Sequence, residues 1–101
     1  MSNKYTIRYL PLAEQDLISI YDYISKDSQK RGLNFIDLID KKISLLENNP
    51  HLGHQSKNYR LIKSGYRVLI IKSYAVFYII NEKEIEIHRI IHSSRSLEDI
   101  I

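Results

Sequence analysis

Cysteine is absent from this chain, and glycine and proline are scarce, at three and two among 101 residues. Without thiols neither a disulfide framework nor a thiolate zinc site can form, which fits a reducing compartment. So little glycine leaves no glycine-rich loop to cradle a phosphate, and no cofactor is expected. No apolar run approaches the roughly 20 residues that a bilayer span requires. Met1-Ser2-Asn3-Lys4 leads directly into a strand-like run without an apolar leader, so the expectation is a cytoplasmic protein with no membrane partner. What is present is a globular composition, 44% apolar and 27% charged, in a length that supports one core and not two. Residues 1–101 are therefore read as a single domain.

A further absence is local. Residues 1–47 carry seven basic and seven acidic side chains, but Asn48 to Asn81 contain no carboxylate and five cations, Lys57, Arg60, Lys63, Arg67 and Lys72. Such a field attracts an anionic partner, nucleic acid or an acidic protein segment, and weakens as salt rises. The plainer alternative is that the cations protect sheet edges and keep the surface soluble.

Tyr5 to Leu10 alternates as a strand, and Pro11 suits the first turn of a helix, where its missing N–H has no partner to lose. Ala13, Leu17, Ile20, Tyr21 and Ile24 then form one apolar helix face, which puts Glu14, Asp16 and Asp22 on the solvated side. Asp27 or Ser28 can cap a second helix, with Gly32, Phe35, Ile36, Ile39, Ile43 and Leu46 on one stripe until Asn48-Asn49-Pro50 stops it, and with Asp37 and Asp40 outward. The short link makes the two helices an antiparallel hairpin. Gly32 has a helix cost that a close approach of neighbouring elements would explain.

His51 to Asn58 reads as loop, and Tyr59 to Lys63 as a short edge strand or extended chain. Ser64-Gly65 is a turn. Three β-branched and aromatic runs follow, Tyr66 to Ile71, Tyr74 to Ile80 and Ile85 to Ile91, as an antiparallel meander. The uncharged Tyr74 to Ile80 should be central and covered on at least one face. The adjacent Ile90 and Ile91 break the alternation, which implies a bulge or a strand covered on both faces.

The meander delivers His92-Ser93-Ser94-Arg95 to its exit. An imidazole can serve as acid or base, and a guanidinium can neutralise a phosphate or carboxylate. In extended chain the two point to opposite faces; a turn at Ser93-Ser94 would bring them together. The plain alternative is a packed His92 and an Arg95 paired with Glu98 or Asp99. His88 reads as a surface residue on the parity of His92. Tyr59, Tyr66, Tyr74 and Tyr78 interleave with Arg60, Lys63, Arg67 and Lys72, a combination suited to single-stranded nucleic acid, although at least two of these tyrosines can equally be core or half-core. Ser93 and Ser94 have no base and carboxylate at triad spacing, and His51 with His54 makes too poor a donor set for a metal.

The order of strand, helical hairpin, loop with Asn49-Pro50-His51-Leu52-Gly53, and a meander reading Tyr74-Ala75-Val76-Phe77-Tyr78 then Ile87-His88-Arg89-Ile90-Ile91-His92-Ser93-Ser94-Arg95 resembles the toxins of the RelE/ParE superfamily, the plasmid-stabilisation type, over residues 5–97. The resemblance implies an α+β fold: an N-terminal strand and an antiparallel two-helix hairpin packed on a mainly antiparallel four-stranded sheet. It implies a type II toxin held inactive by a cognate antitoxin, with operator DNA engaged only through that antitoxin. The target is then DNA gyrase for ParE-like members or ribosome-bound mRNA for RelE-like ones. Arg95 matches the late arginine of the superfamily. Ala75 stands where RelE-like enzymes carry arginine, and no Tyr or His follows Arg95, so the ParE-like, non-enzymatic inhibitor is expected. Arg60, Lys63, Arg67, Lys72 and Arg95 are the expected target-binding or nucleic-acid-binding residues. The alternatives are an endoribonuclease using His92, Arg95 and Arg67, and a non-toxic remnant that still binds antitoxin or nucleic acid.

Overall fold

The computed structural model describes residues 4–55 and 59–95. Strand β1 (Thr6–Tyr9) leads through Leu10 into helix α1 (Pro11–Ser25), with Pro11 at the first helical position. Ser28 caps helix α2 (Gln29–Ser44), its Oγ accepting the Arg31 N–H at 3.2 Å. A 3₁₀ turn over Leu45–Glu47 closes the hairpin before Asn48 and Pro50. Gly32 lies where the helices meet: a Cβ there would stand 3.2 Å from both Ser25 Cβ and the Tyr21 ring, so the close approach suggested by its helix cost is real.

The remaining elements are β2 (His54–Gln55), α3 (Tyr59–Lys63), β3 (Arg67–Ile71), β4 (Tyr74–Asn81) and β5 (Glu84–His92). The sheet has five strands in the order β1-β5-β4-β3-β2, with β1 parallel to β5 and the other pairs antiparallel. The added strand is the two-residue β2, inside the segment read from sequence as loop. Tyr59–Lys63 is a helix, neither a strand nor extended chain. The reason is packing: Leu61 is buried against Val68, Ala75, Phe77 and Ile91, and a single helical turn lets one side chain reach that cluster while Arg60 and Lys63 face outward.

The sheet therefore has cover on both faces. Ala13 and Ile20 of α1 with Ile39 and Ile43 of α2 bury Val76, Tyr78, Ile85, Ile87 and Ile90 on one side, while α3 and Tyr66 cover the other. This explains why Ala75, Val76, Phe77 and Tyr78 are buried in succession. At about 25 cal/mol per Å² of apolar surface, each fully buried side chain of this size contributes on the order of 2 kcal/mol.

The alternation break in β5 is a bulge. Phe77 pairs with Arg89 and Tyr78 with Ile87, so His88 is an extra residue. The insertion reverses the parity beyond it. Ile90 rejoins the hairpin face occupied by Ile85 and Ile87, and His88 falls on the opposite face, which removes the shared parity with His92.

Candidate functional site

The two ends of the meander hold the expected site residues in different states. At the start of β3, Arg67 is turned back on the loop before β2. Its Nε donates to the Gly53 carbonyl at 3.0 Å and its Nη2 donates to the carbonyls of Gly53 and His51. The buried Tyr78, its partner across the β3–β4 ladder, completes the lock: its hydroxyl donates to the Pro50 carbonyl at 2.8 Å and accepts the Gly53 N–H at 2.9 Å. A side chain at position 53 would strike this arrangement, since a Cβ would lie 2.7 Å from the Tyr78 hydroxyl and 2.8 Å from the Val68 carbonyl.

The other end is built by the β3–β4 turn and the exit of β5. Lys72 adopts the left-handed conformation, φ 54°, in a two-residue turn, a cost that a lysine bears and a glycine would not. The Ser73 carbonyl accepts the Ser93 N–H at 2.8 Å, tying this turn to the chain leaving β5. Tyr74 pairs with His92, and their rings meet edge to face at 5.4 Å; Phe35 of α2 packs on Tyr74 at 5.5 Å. Burial raises the Tyr74 phenol above its ordinary value, with a lesser contribution from Tyr23. The Arg95 N–H donates to the His92 carbonyl at 3.0 Å, so the Ser93-Ser94 turn does form and sets His92 and Arg95 at its two ends. Lys72, His92 and Arg95 are all exposed. Glu98 and Asp99, the alternative partners of Arg95, lie outside the described residues.

The chemistry open to His92 is limited by Ser94. Its Nδ1 is 2.7 Å from the Ser94 hydroxyl and accepts the Ser94 N–H at 3.2 Å. In the neutral ring the proton is then assigned to Nε2, so that nitrogen is a donor and not a base. Arg67 does not complete a set with it. Arg67 pairs with Tyr78 and His92 with Tyr74, four residues apart along β4, or about 13 Å at strand rise. Arg60 and Lys63 stand on α3, over the sheet face away from the helical hairpin.

Two clusters escaped the sequence reading. Asp16 is not on a solvated face: its carboxylate takes two bonds from Arg89, at 2.8 and 2.9 Å, and the Ile90 N–H at 2.8 Å. β1 covers the edge of β5 only as far as Ile87, and Asp16 occupies the next open donor on that edge. The bond to Asp16 raises the Arg89 pKa still further. The signal existed in the sequence, because Asp16 lies three residues after Ala13 and four before Ile20, within the apolar stripe. The second cluster is Tyr66, His88 and Glu86. The Tyr66 hydroxyl lies 2.9 Å from His88 Nδ1, and His88 Nε2 lies 3.2 Å from Glu86, so His88 is half-buried and bonded on both nitrogens, unlike the surface residue expected. Its hydrogen bond, followed by that from Asn81, holds the Glu86 carboxyl below its ordinary value. Burial and the Glu86 charge push the Tyr66 phenol up. Asp40 is exposed as expected yet accepts the Tyr9 hydroxyl at 2.9 Å. Of the four interleaved tyrosines, Tyr78 is core and Tyr66 and Tyr74 are half-buried.

Among the described residues no group of three His, Asp or Glu is placed to hold a metal, and no helix is long and apolar enough to cross a membrane.

The family described as the ParE toxin of type II toxin–antitoxin system, parDE, matches residues 7–97. No curated protein matches the chain. Among solved structures, the fold is similar to a chain of the chromosomal ParDE toxin–antitoxin system from P. aeruginosa, with a TM-score of 0.76 and 23% identity over 90% of this chain and 98% of that one. It is also similar to a chain of the RelBE2 toxin–antitoxin complex from Mycobacterium tuberculosis, with a TM-score of 0.59 and 21% identity over 88% of this chain and 98% of that one. Both likenesses concern the fold, but the family match spans nearly the whole chain, both layers of the fold and the exit turn at Arg95. The chain belongs to the ParE toxin family of type II toxin–antitoxin systems.

Proposed function

We propose that this chain arrests bacterial growth by binding DNA gyrase, and that a cognate antitoxin neutralises it. The reading rests first on family membership. The observation that favours an inhibitor over a nuclease is the position of Arg67, whose guanidinium is engaged with loop carbonyls about 13 Å along the strands from His92. Transesterification of RNA needs an activated 2′-hydroxyl and a charge clamp on the same phosphate. Here Nε2 of neutral His92 is a donor, and the sequence-predicted cations at its end of the sheet, among the described residues, are Lys72 and Arg95.

A binding surface requires less. Lys72, His92 and Arg95, exposed beside Tyr74, offer cations and an aromatic edge to a protein target with acidic side chains. Contact through these groups should weaken as salt rises. Arg60 and Lys63 would add a second cationic strip on α3.

Induced expression in a bacterium, with plasmid topology and message 5′ ends read from the same culture, tests the reading. Growth arrest with loss of supercoiling and intact messages is expected. Discrete message cuts with normal topology would replace it with the endoribonuclease, and antitoxin binding without arrest would leave only a binding remnant.

A further inference from the structure

β3 is paired on one side along its whole length but on the other only in part. β2 meets it at Arg67 and Val68, so among the described residues Leu69, Ile70 and Ile71 have no strand on that side. Along this open edge, the end of α2 and the loop before β2 enclose a groove of about 570 Å³. Leu45, Leu52 and Ile70 line it and are 50%, 44% and 51% exposed, an apolar strip of the kind that edge strands ordinarily avoid.

The groove carries charge of one sign. Lys42 and Lys72 line it, no carboxylate does, and neither lysine has a side-chain hydrogen bond or ion pair among the described residues. A second copy paired edge to edge would gather the lysines of both grooves along one seam without an acid between them. Acids do follow in the same chain. Ser96-Leu97-Glu98-Asp99-Ile100-Ile101, outside the described residues, combines two carboxylates with three large aliphatic side chains.

This segment starts at the mouth of the groove. The Ser93 N–H is bonded to Ser73, the neighbour of Lys72, and the turn closed by the Arg95 N–H on the His92 carbonyl reverses the chain. β5 and β3 run in the same sense, both antiparallel to β4, so a reversed segment laid along β3 runs antiparallel to it. Six extended residues reach about 20 Å, enough to cross the Ser73 turn and lie beside the open edge.

We propose that residues 98–101 add an antiparallel strand to the open edge of β3, with Ile100 opposite Ile70 and Glu98 opposite Lys72. That register sets Ile101 and Asp99 on the face of Leu69 and Ile71, turned towards α2, where Lys42 stands. The short tether keeps the segment at an effective concentration on the order of millimolar. Once docked, it places a carboxylate on Lys72 and competes with an acidic target for that cation. This competition rests on the target reading above, whereas the docking does not.

The lack of cysteine makes the register measurable. Under mild oxidation, Ile70→Cys with Ile100→Cys should close an intrachain disulfide at least about tenfold faster than Ile70→Cys with Ile101→Cys, whose side chain faces the other way. In the unsubstituted chain the Ile70 and Ile100 methyl groups should show a nuclear Overhauser contact, lost in the Glu98→Lys, Asp99→Lys variant. Equal closure rates would overturn the docking, and so would disulfide-linked dimers, which give the edge to a second copy. With its disulfide closed, the first variant should need about fivefold more protein to inhibit gyrase than when reduced. Equal inhibition by the two forms would overturn the covering of Lys72. No inhibition by the unsubstituted chain would overturn the target reading instead, and the closure rates would still decide the docking.

Discussion

Arg67 and Arg95 sit at opposite ends of one meander, are the same residue, and read alike from the sequence as target-binding cations, yet their surroundings differ in kind. Arg67 is half-buried and bonded to two loop carbonyls, beside a buried tyrosine bonded to the same loop. Arg95 is exposed, and its backbone N–H closes a turn. Among the described residues neither Lys72 nor Arg95 has a side-chain hydrogen bond or ion pair. Charge counted along the chain does not separate a cation that holds the fold from one that is available to a target; hydrogen-bond partners do.

The contrast can be broken first where the fold depends on one polar group. Asp16→Ala leaves Arg89 and the Ile90 N–H without their acceptor in a site where both charged side chains are less than a fifth exposed. The expected loss is about 2 kcal/mol, read by urea denaturation. An unchanged midpoint would mean that water replaces the carboxylate. The locked end comes next. Tyr78→Phe removes the partner of both the Pro50 carbonyl and the Gly53 N–H, and should cost roughly 1–2 kcal/mol, whereas Arg67→Ala should cost about 1 kcal/mol. Both should also raise proteolytic cleavage in the loop before β2; protection equal to the parent would remove the lock from the account.

A smaller effect is expected from pH. The carboxyl of Glu86 is held below its ordinary 4.5 in the folded chain, so its contribution is fully present above that value and disappears as pH falls through the lowered folded value. Glu86→Gln should therefore flatten the acid limb of the stability profile below about pH 4.5, because the variant lacks the contribution near neutrality and converges on the parent in acid. Smallest of all on stability are Lys72→Ala, His92→Ala and Arg95→Ala, each expected within about 0.5 kcal/mol of the parent. These three should instead reduce growth arrest. A large loss of stability with unchanged arrest would reverse the roles assigned to the two ends.

Much of this architecture is legible in the chain itself. Pro11 and Ser28 mark helix starts, Asn48-Asn49-Pro50 marks the stop, and the Ile90-Ile91 break marks the bulge, because each is a local rule acting within a few residues. What was not legible depends on distant partners. Tyr59–Lys63 is helical because Leu61 meets a cluster drawn from three strands. His92 no longer shares a face with His88 because one residue is inserted opposite Phe77 and Tyr78. Asp16 was assigned to solvent because a carboxylate on a helix usually belongs there, and its position on the apolar stripe was outweighed by its type. The candidate site was legible as residues and not as a group: the sequence names Arg67, His92 and Arg95 alike, and only the ladder pairing separates the first from the other two.

The most direct test is supercoiling by purified DNA gyrase titrated with the purified chain, comparing the parent with the Lys72→Ala, Arg95→Ala double variant at equal thermal midpoint. The account predicts that the parent inhibits and that the variant needs at least about tenfold more protein. Undisturbed supercoiling by the parent, or equal inhibition by the variant, would contradict it.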